Sequence, residues 1–293
     1  MRITITGASG FIGRYVLNLL ILNGLDVVAV VRSKESISEF EGLCRIVELD
    51  IFNEGCNLNC YQILGNPDIL IHLAWGDVSN IMNLDHFEKQ LPLHYNFLRK
   101  MIESGLPSVC VSGTCFEYGN LSGRVKEDMI GHPLNPYGYA KDVLRHQLEF
   151  LQIKTNKSFK LTWMRLFYMY GYSQQKDTIF SQLKQAIKDD EVSFKMSGGE
   201  QLLDYLPVES VAEKVTKLAL INKDIGIVNV CKGSPTSLRS FAEAIVKENN
   251  SNIKLDLGHY PYRVSEPMSL WGDDAYLNEL INLSVQKIRG EFN

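Results

Sequence analysis

The chain has 293 residues, of which 45% are hydrophobic and 22% are charged, and its net charge is −4. This composition is typical of a globular protein, and the slight acidity argues against nucleic-acid binding. The apolar runs are far shorter than the ~20 residues that span a bilayer, and no cleavable leader is recognisable, so we expect a cytoplasmic protein.

The first half alternates short strand-like runs with helical stretches. In chain order, the strand-like runs are RITIT, DVVAVV, RIVELD, DILIHLA and SVCVSGT. Helices are predicted from Gly10 to about Asn23, from Leu84 to Ser104 and from Pro136 to Lys154. This alternation is typical of a doubly wound α/β fold, in which helices cover both faces of a parallel sheet.

After the segment LTWMRLFYMYG the alternation of strands and helices ends. We therefore expect a first, doubly wound domain over 1–170, with 205–235 returning to it. A smaller, interleaved α/β substrate-binding lobe would comprise 171–204 and 236–293. The lobe is expected to close over the carboxyl ends of the strands, where open α/β sheets bind ligands.

Three glycines lie where the first strand turns into the first helix, in the stretch TGASGFIG. Gly7 permits a tight turn, Gly10 leaves room for a pyrophosphate to approach the backbone, and Gly13 allows close packing of the helix on the sheet. The amino end of the helix then offers free N–H groups and a positive dipole to the anion. This context predicts dinucleotide binding rather than a purely structural turn, so we expect 1–170 to be a dinucleotide-binding Rossmann domain.

The chain resembles the extended branch of the short-chain dehydrogenase/reductase superfamily, whose members act on nucleotide sugars. The resemblance rests on GASGFIG, ILIHLAW, SGTCFEYG, PLNPYGYAK, RLFYMYG and GEQLLDYLPVESVA, which occur in this order over almost the full length. The turn residues that it assigns to the cofactor are Gly7, Ser9, Gly10, Phe11, Ile12 and Gly13. It also implies that Asp50 and Ile51 flank the adenine, and that Leu73, Ala74 and Trp75 line the path to the nicotinamide.

The end of the second strand bears on the choice between NAD and NADP. Val31 stands where an NAD enzyme usually offers an acid to the ribose 2′-hydroxyl, and Arg32, Ser33 and Lys34 follow it. A cation-rich turn suits the additional phosphate of NADP(H), so NADP(H) is the predicted cofactor and NAD(H) the alternative. An ordinary cluster of solvated charges at the end of a strand, with no role in cofactor binding, would give the same sequence pattern.

Tyr137 and Lys141 are spaced i and i+4, on one face of a predicted helix. Moving the pKa of a phenol from about 10 to about 7 requires roughly 4 kcal/mol, which an ammonium ~4 Å away can supply at an effective dielectric of ~20. Lys141 would also hold the cofactor ribose. Thr114, just past a strand end, would hydrogen-bond the oxygen that gains or loses the proton. We predict these three as the catalytic residues.

The two residues after Thr114 restrict the class of reaction that the enzyme is expected to catalyse. In the 4,6-dehydratases of the family they are Asp and Glu, whereas this chain has Cys115 and Phe116. Relatives that epimerise C3 and C5 carry a cysteine at the place of Phe116, so Cys115 is not expected to act as a base. By resemblance, Thr114, Cys115, Phe116, Tyr168 and Arg263 contact the substrate, with Arg263 on the diphosphate.

Two departures from the family pattern affect the sugar or diphosphate pocket. Tyr168 replaces a common Asn, and Leu203 stands before Asp204 where relatives often have an arginine. The second departure removes one expected phosphate contact. Because of these two departures, the sequence does not identify the nucleotide of the substrate.

The resemblance implies an NADP(H)-dependent reductase of the 4-keto group of a nucleoside-diphosphate 4-keto-6-deoxyhexose, as in deoxytalose- and fucose-forming enzymes. The alternative is a nucleotide-sugar 4-epimerase with tightly held NAD. A third interpretation is a dinucleotide-sensing protein that does not catalyse a reaction.

The helices Leu84–Ser104 and Pro136–Lys154 correspond to the family's dimer contact, so a homodimer is expected. Six cysteines are too sparse for a disulfide scaffold, and no second pair joins Cys56 and Cys60, so no metal is expected.

Overall fold

The structure is a computed structural model that describes residues 1–52, 59–156, 158–262 and 266–290. Cys56 and Arg263 therefore lie outside the described residues. The strands are β1 (Arg2–Thr6), β2 (Asp26–Val31), β3 (Arg45–Glu48), β4 (Ile69–His72), β5 (Ser108–Thr114), β6 (Gly123–Val125), β7 (Lys160–Leu166), β8 (Tyr168–Tyr170), β9 (Ser193–Lys195), β10 (Leu202–Leu203), β11 (Tyr205–Pro207), β12 (Gly226–Val230), β13 (Thr236–Ser237), β14 (Lys254–Asp256) and β15 (Ser269–Gly272). The α-helices are α1 (Phe11–Leu22), α2 (Cys60–Ile63), α3 (Leu91–Glu103), α4 (Pro136–Lys154), α5 (Ile179–Lys188), α6 (Val208–Ile221), α7 (Leu238–Glu248) and α8 (Ala275–Gly290).

A seven-stranded sheet forms the centre of the molecule, in the order β12-β7-β5-β4-β1-β2-β3. Every neighbouring pair in it is parallel. The chain builds outward from β1 through β2 and β3, then returns to the other side of β1 and builds outward again from β4. The order of the strands therefore reverses between β1 and β4, and the crevice outside this switch point is where open α/β sheets bind ligands.

Helices cover both faces of this sheet, because its strands are apolar on both faces. On one face, α1, α6 and α8 pack over a cluster that includes Ile3, Val16 and Leu277. On the other face, α3 and α4 pack over a cluster that includes Leu70 and Leu144. The predicted doubly wound α/β architecture is confirmed.

A second group of elements lies beyond the carboxyl ends of the strands. It contains a four-stranded sheet in the order β13-β10-β15-β6 and two strand pairs, β11 with β8 and β14 with β9. α5 and α7 pack together over an apolar cluster that includes Phe194 and Phe241. Several elements cross the expected boundaries: β8 and β11 belong to the smaller group, β6 pairs with β15 of that group, and α8 packs on α6 and β12.

The long helix expected from Leu84 to Ser104 is two segments. A π-helical turn covers His86–Gln90, and α3 begins at Leu91. Pro92 lies in the first turn of α3, and proline has no N–H to donate to a carbonyl in the preceding turn, so regular α-helical bonding cannot continue through this point. In the part of the chain that the structure describes, no helix is long and apolar enough to cross a membrane.

Candidate active site at the carboxyl edge of the sheet

The glycine turn joins β1 to α1 at the switch point of the sheet. Gly7 has a φ of +73°, and a side chain on it would reach the backbone nitrogen of Ala74 at 2.6 Å. A side chain on Gly13 would overlap the carbonyl of Gly7. Two of the three glycines are therefore required by backbone conformation and by close packing, as the sequence predicts.

The third glycine leaves the amino end of α1 open. Gly10 is exposed, and as the N-cap residue it provides no side-chain hydrogen bond to the first turn, which also carries no acidic residue. Four N–H groups at a helix start lack intrahelical partners, and the helix dipole favours an anion beside them. Ser9, Phe11 and Ile12 are partly buried around this turn. These features fit the pyrophosphate of a dinucleotide.

The turn after β2 contains acids as well as the predicted cations. Arg32 is exposed. The Ser33 hydroxyl donates to Glu35, and the backbone N–H of Lys34 donates to Glu48 at 2.9 Å. The charge of this turn is therefore more balanced than the local sequence suggests, because Glu48 comes from the neighbouring strand β3.

The remaining predicted cofactor residues follow β3 and β4. Asp50 is exposed and accepts a hydrogen bond from the N–H of Phe52, whereas Ile51 is buried. Leu73 and Ala74 are partly buried beside the glycine turn, and the N–H of Leu73 donates to the carbonyl of Thr6. The parallel arrangement brings all of them to the edge that carries the glycine turn.

Lys141 extends from α4 to the end of β5 and is 1% exposed. Its Nζ donates to the carbonyl oxygen of Ser112 at 2.8 Å, and the Ser112 hydroxyl lies at 3.5 Å. The ammonium also lies 3.9 Å from the ring centre of Trp75. Burial lowers the pKa of Lys141 to about 7, although the negative charge of Glu117 opposes this change.

Trp75 follows β4 and is the centre of a group of rings beside Lys141. Its indole N–H donates to Nδ1 of His86 at 3.1 Å, and Nε2 of His86 lies 3.0 Å from the Asn80 carbonyl oxygen. We therefore assign the proton of His86 to Nε2. The indole is stacked on His94, with ring centres 4.1 Å apart, and meets Tyr137 edge-on at 6.1 Å.

A pair of buried histidines lies behind Trp75. Nε2 of His72 is 2.7 Å from Nδ1 of His94, and the Thr6 hydroxyl is 2.8 Å from Nδ1 of His72. Burial and the charge of Lys141 lower the pKa of His72 to about 3. Burial, His72 and Lys141 likewise hold the pKa of His94 far below its usual range, so both rings are neutral.

Tyr137 lies in the first turn of α4, beside Thr114 at the end of β5. The helix is anchored there by Asn135, whose side chain accepts a hydrogen bond from the N–H of Gly138 at 2.8 Å. The Thr114 hydroxyl is close enough to the phenol of Tyr137 to lower the pKa of that phenol. The structure thus brings Thr114, Tyr137 and Lys141 to one place.

The pKa of Tyr137 differs from the sequence-based expectation. Burial raises it above 10, Glu117 and Cys115 raise it further, and only the hydrogen bond from Thr114 lowers it. Lys141 does not produce the expected decrease because its Nζ lies 5.9 Å from the phenol ring centre and is bonded to Ser112. In this structure the phenol is therefore protonated at neutral pH.

Glu117 is a buried carboxylate that the sequence analysis overlooked. It accepts hydrogen bonds from the N–H of Thr114 at 2.8 Å, from Nε1 of Trp163 at 3.1 Å and from Nε of Arg165 at 2.8 Å. Thr114 and Glu117 form a capping box around the 3₁₀ segment Cys115–Tyr118. The spacing of Thr114 and Glu117, a threonine followed three residues later by a glutamate, is the sequence signal for this motif.

The two residues after Thr114 point to different surroundings. Cys115 is 3% exposed and packs in a cluster with Phe167, Leu203 and Leu270. Burial and nearby acids raise the pKa of its thiol far above 9. The ring of Phe116, in contrast, lies 6.4 Å from that of Tyr137. Of these two side chains, the ring of Phe116 is the one that makes a ring contact with Tyr137.

The predicted substrate contacts are only partly assembled. The ring of Tyr168 lies 6.0 Å from that of Phe116, and its buried hydroxyl has no hydrogen-bond partner. Leu203 is buried in the apolar cluster of Cys115. Asp204 is fully buried and accepts hydrogen bonds from the N–H groups of Lys232 and Gly233, so its role is structural. The described residues contain no group of His, Cys, Asp and Glu side chains arranged to hold a metal.

Comparison with known proteins places this chain in a family. The family model described as "NAD dependent epimerase/dehydratase family" matches residues 3–231. The chain belongs to this family. It is an enzyme of the nucleotide-sugar branch of the extended short-chain dehydrogenases/reductases, as the motifs predict.

Two curated relatives and one solved structure illustrate the similarity. The chain is 32% identical to dTDP-6-deoxy-L-talose 4-dehydrogenase (NAD(+)) of Aggregatibacter actinomycetemcomitans, covering 93% of this chain and 99% of the relative. It is 25% identical to CDP-abequose synthase of Yersinia pseudotuberculosis, covering 89% of each. The solved structure of MoeE5 in complex with UDP-glucose and NAD has a TM-score of 0.80 at 22% identity, with complete coverage of both chains, which shows a shared fold.

Proposed function

We propose that this enzyme reduces the 4-keto group of a nucleoside-diphosphate 4-keto-6-deoxyhexose with a nicotinamide cofactor. The proposal is supported by the grouping of Thr114, Tyr137 and Lys141 beside the glycine turn, and by the similarity to a deoxytalose 4-dehydrogenase. A bound reduced nicotinamide supplies the hydride. The chain's own residues hold the sugar and move the proton.

The proton step follows from the state of Tyr137. Reduction places negative charge on the oxygen at C4, and a phenol with a raised pKa is in the protonated form that donates to this oxygen. The Thr114 hydroxyl lies beside the phenol and orients the carbonyl by donating a hydrogen bond to its oxygen. The Lys141 ammonium stabilises the phenolate that remains after proton transfer.

The observation that carries the proposal is the environment of the two residues after Thr114. A 4,6-dehydration needs an acid and a base there, but the Cys115 thiol is buried with a raised pKa and Phe116 has no ionisable group. The nearby carboxylate of Glu117 is engaged by Thr114, Trp163 and Arg165. Hydride transfer at one carbon therefore fits the site better than removal of water, and the apolar ring of Phe116 suits a 6-deoxy sugar.

The direct test offers thymidine-, guanosine-, cytidine- and uridine-diphosphate 4-keto-6-deoxy sugars with NADPH or NADH and follows the loss of dihydronicotinamide absorbance. We expect turnover of at least one ketose. Interconversion of uridine- or thymidine-linked hexoses, together with no oxidation of either cofactor by any ketose, would contradict the proposal.

The cofactor that we propose is NADP(H), with Arg32 on the 2′-phosphate. Arg32 is exposed next to the end of β2, and a guanidinium suits phosphate oxygens. NAD(H) is the second candidate, favoured by Glu35 in the same turn, by Glu48 of the neighbouring strand β3 and by the name of the deoxytalose relative. We expect R32S to weaken NADPH binding about 10–100-fold and NADH binding much less; equal losses for both would assign NAD(H).

A 4-epimerase with retained NAD is the second candidate function. It is favoured by the balanced charge after β2 and by 23% identity to an uncharacterised UDP-glucose epimerase of Bacillus subtilis. An epimerase must take the proton from the substrate as well as return it, so it requires Tyr137 in its ionised form in half of each cycle. NAD that copurifies with the protein and does not exchange would support this candidate.

We also propose a homodimer formed through α4. Its exposed residues Tyr139, His146, Phe150 and Ile153 recur at helical spacing and form one stripe. Phe150 is 66% and Ile153 75% exposed. Analytical ultracentrifugation of the wild type and of an F150D/I153D variant tests this, and equal sedimentation of both would contradict it.

A further inference from the structure

The Lys141 ammonium has fewer hydrogen-bond acceptors than its burial requires. An ammonium carries three donors. One is used by the carbonyl of Ser112 at 2.8 Å, and the Ser112 hydroxyl at 3.5 Å is at the limit of a hydrogen bond. The additional contact of this charge is the face of the Trp75 indole, 3.9 Å from Nζ. Indole gives the strongest cation–π attraction among aromatic side chains.

The indole is itself held in place by its neighbours. Its N–H donates to Nδ1 of His86, and His86 is tied to the carbonyl of Asn80. The ring is stacked on His94 at an interplanar angle of 17°. We propose that Trp75 is a positioning residue for Lys141, whose ammonium it keeps charged and in place beside the catalytic phenol.

The other ionisable groups around Lys141 define what the indole adds. Glu117 favours the charged ammonium. The rings of His72 and His94 are neutral, and the Tyr137 phenol is protonated. Because burial acts against the charged form, loss of the π face is expected to lower the pKa of Lys141 by about one pH unit. Phenylalanine keeps a weaker π face, and leucine, similar in volume to phenylalanine, has none.

The test is a titration of Lys141 in the protein without substrate or cofactor. Lysine side chains are labelled with ¹³C at the ε carbon, and the Lys141 signal is identified by its absence in K141M. The pKa of Lys141 is expected to decrease in the order wild type, W75F, W75L. W271F removes a tryptophan of β15 and is the matched control, with an expected titration equal to the wild type.

A pKa in W75L equal to or above that in W75F would overturn the inference. If W75L does not fold, the comparison of W75F with wild type decides, and an unchanged pKa there would also overturn it. Activity gives a second readout that rests on the proposed function: the fall of kcat/KM at alkaline pH should move to lower pH in W75F. Absence of any ketose reduction would contradict the proposed function but leave the titration interpretable.

Discussion

Two buried charges of opposite sign lie at the end of β5, and they differ in the number of hydrogen bonds that they make. Glu117 receives hydrogen bonds from the N–H of Thr114, from Trp163 and from Arg165. Lys141 reaches the same strand two residues before Thr114, at Ser112. It makes one short hydrogen bond there and contacts the face of the Trp75 indole. Both side chains are about 1% exposed, so burial alone does not distinguish them.

The difference separates structural support from reactivity. A carboxylate that accepts hydrogen bonds from three groups is held in a single position, and Glu117 in turn fixes the backbone of Thr114. A cation with few partners has a pKa near 7, and its charge is available to groups that arrive in the site. The comparison supports our proposal that Lys141 takes part in the reaction, whereas Glu117 supports the structure around it.

The largest expected effect concerns the phenol beside Lys141. Y137F should reduce the turnover of the ketose substrate about 10²–10⁴-fold, because the proton donor is removed. Cofactor binding and thermal stability should change little. Tyr139, 52% exposed on the same helix, gives the matched control Y139F, which should react like the wild type. Equal activity of the two variants would show that Tyr137 takes no part in the reaction.

Removal of the charge of Glu117 tests the structural side of the comparison. E117Q should lower the free energy of unfolding by about 3–5 kcal/mol, because the Arg165 guanidinium is left buried without its partner. Urea denaturation measures the change. E103Q, which breaks the exposed pair with Arg99, should cost no more than about 1 kcal/mol. A stable but inactive E117Q would instead make Glu117 a reacting group.

The pH dependence of the free energy of unfolding tests the lowered pKa of Lys141. Between pH 7 and about 10.4, the lysine is protonated in the unfolded chain and neutral in the folded protein, so the unfolded state binds more protons and stability rises with pH. We expect this rise, on the order of 5 kcal/mol at most, in the cofactor-free wild type but not in K141M.

Below pH 7 the folded protein carries the cost of the buried ammonium, so K141M should be more stable than the wild type there. K154M, at the exposed end of α4, is the control and should follow the wild-type curve. Parallel curves for the wild type and K141M across this range would show that Lys141 has an ordinary pKa.

The smallest effect is expected at Cys115, which precedes Glu117 by two residues and packs in an apolar cluster. C115A should leave kcat/KM unchanged and lower the free energy of unfolding by about 1 kcal/mol, since the thiol packs in an apolar cluster. Steady-state kinetics and urea denaturation measure both quantities. A hundredfold loss of turnover in a folded C115A would identify the thiol as a catalytic base.

Much of the fold follows from local sequence. The spacing of the glycines and the apolar runs predicts β1, α1 and the parallel sheet, and α4 has the predicted bounds Pro136–Lys154. The break before α3 was missed, although Pro92 was a local signal for it. The pattern Thr114-x-x-Glu117 was also available as a capping box.

The interior of the site depends on tertiary contacts that no local pattern contains. Glu48 comes from β3 and changes the charge balance near Arg32. The direction of Lys141 depends on Ser112 and on the ring of Trp75, so the i, i+4 spacing alone predicted a pKa for Tyr137 in the wrong direction for this structure.

The central claim is that hydride reaches one carbon of a keto sugar and remains there. The most direct measurement uses the reduced cofactor with deuterium on the transferring position of the nicotinamide ring and locates the label in the product by mass spectrometry and NMR. The account predicts one deuterium, bonded to C4 of the sugar. A product without deuterium at C4, or with hydrogen from solvent at that carbon, would contradict it.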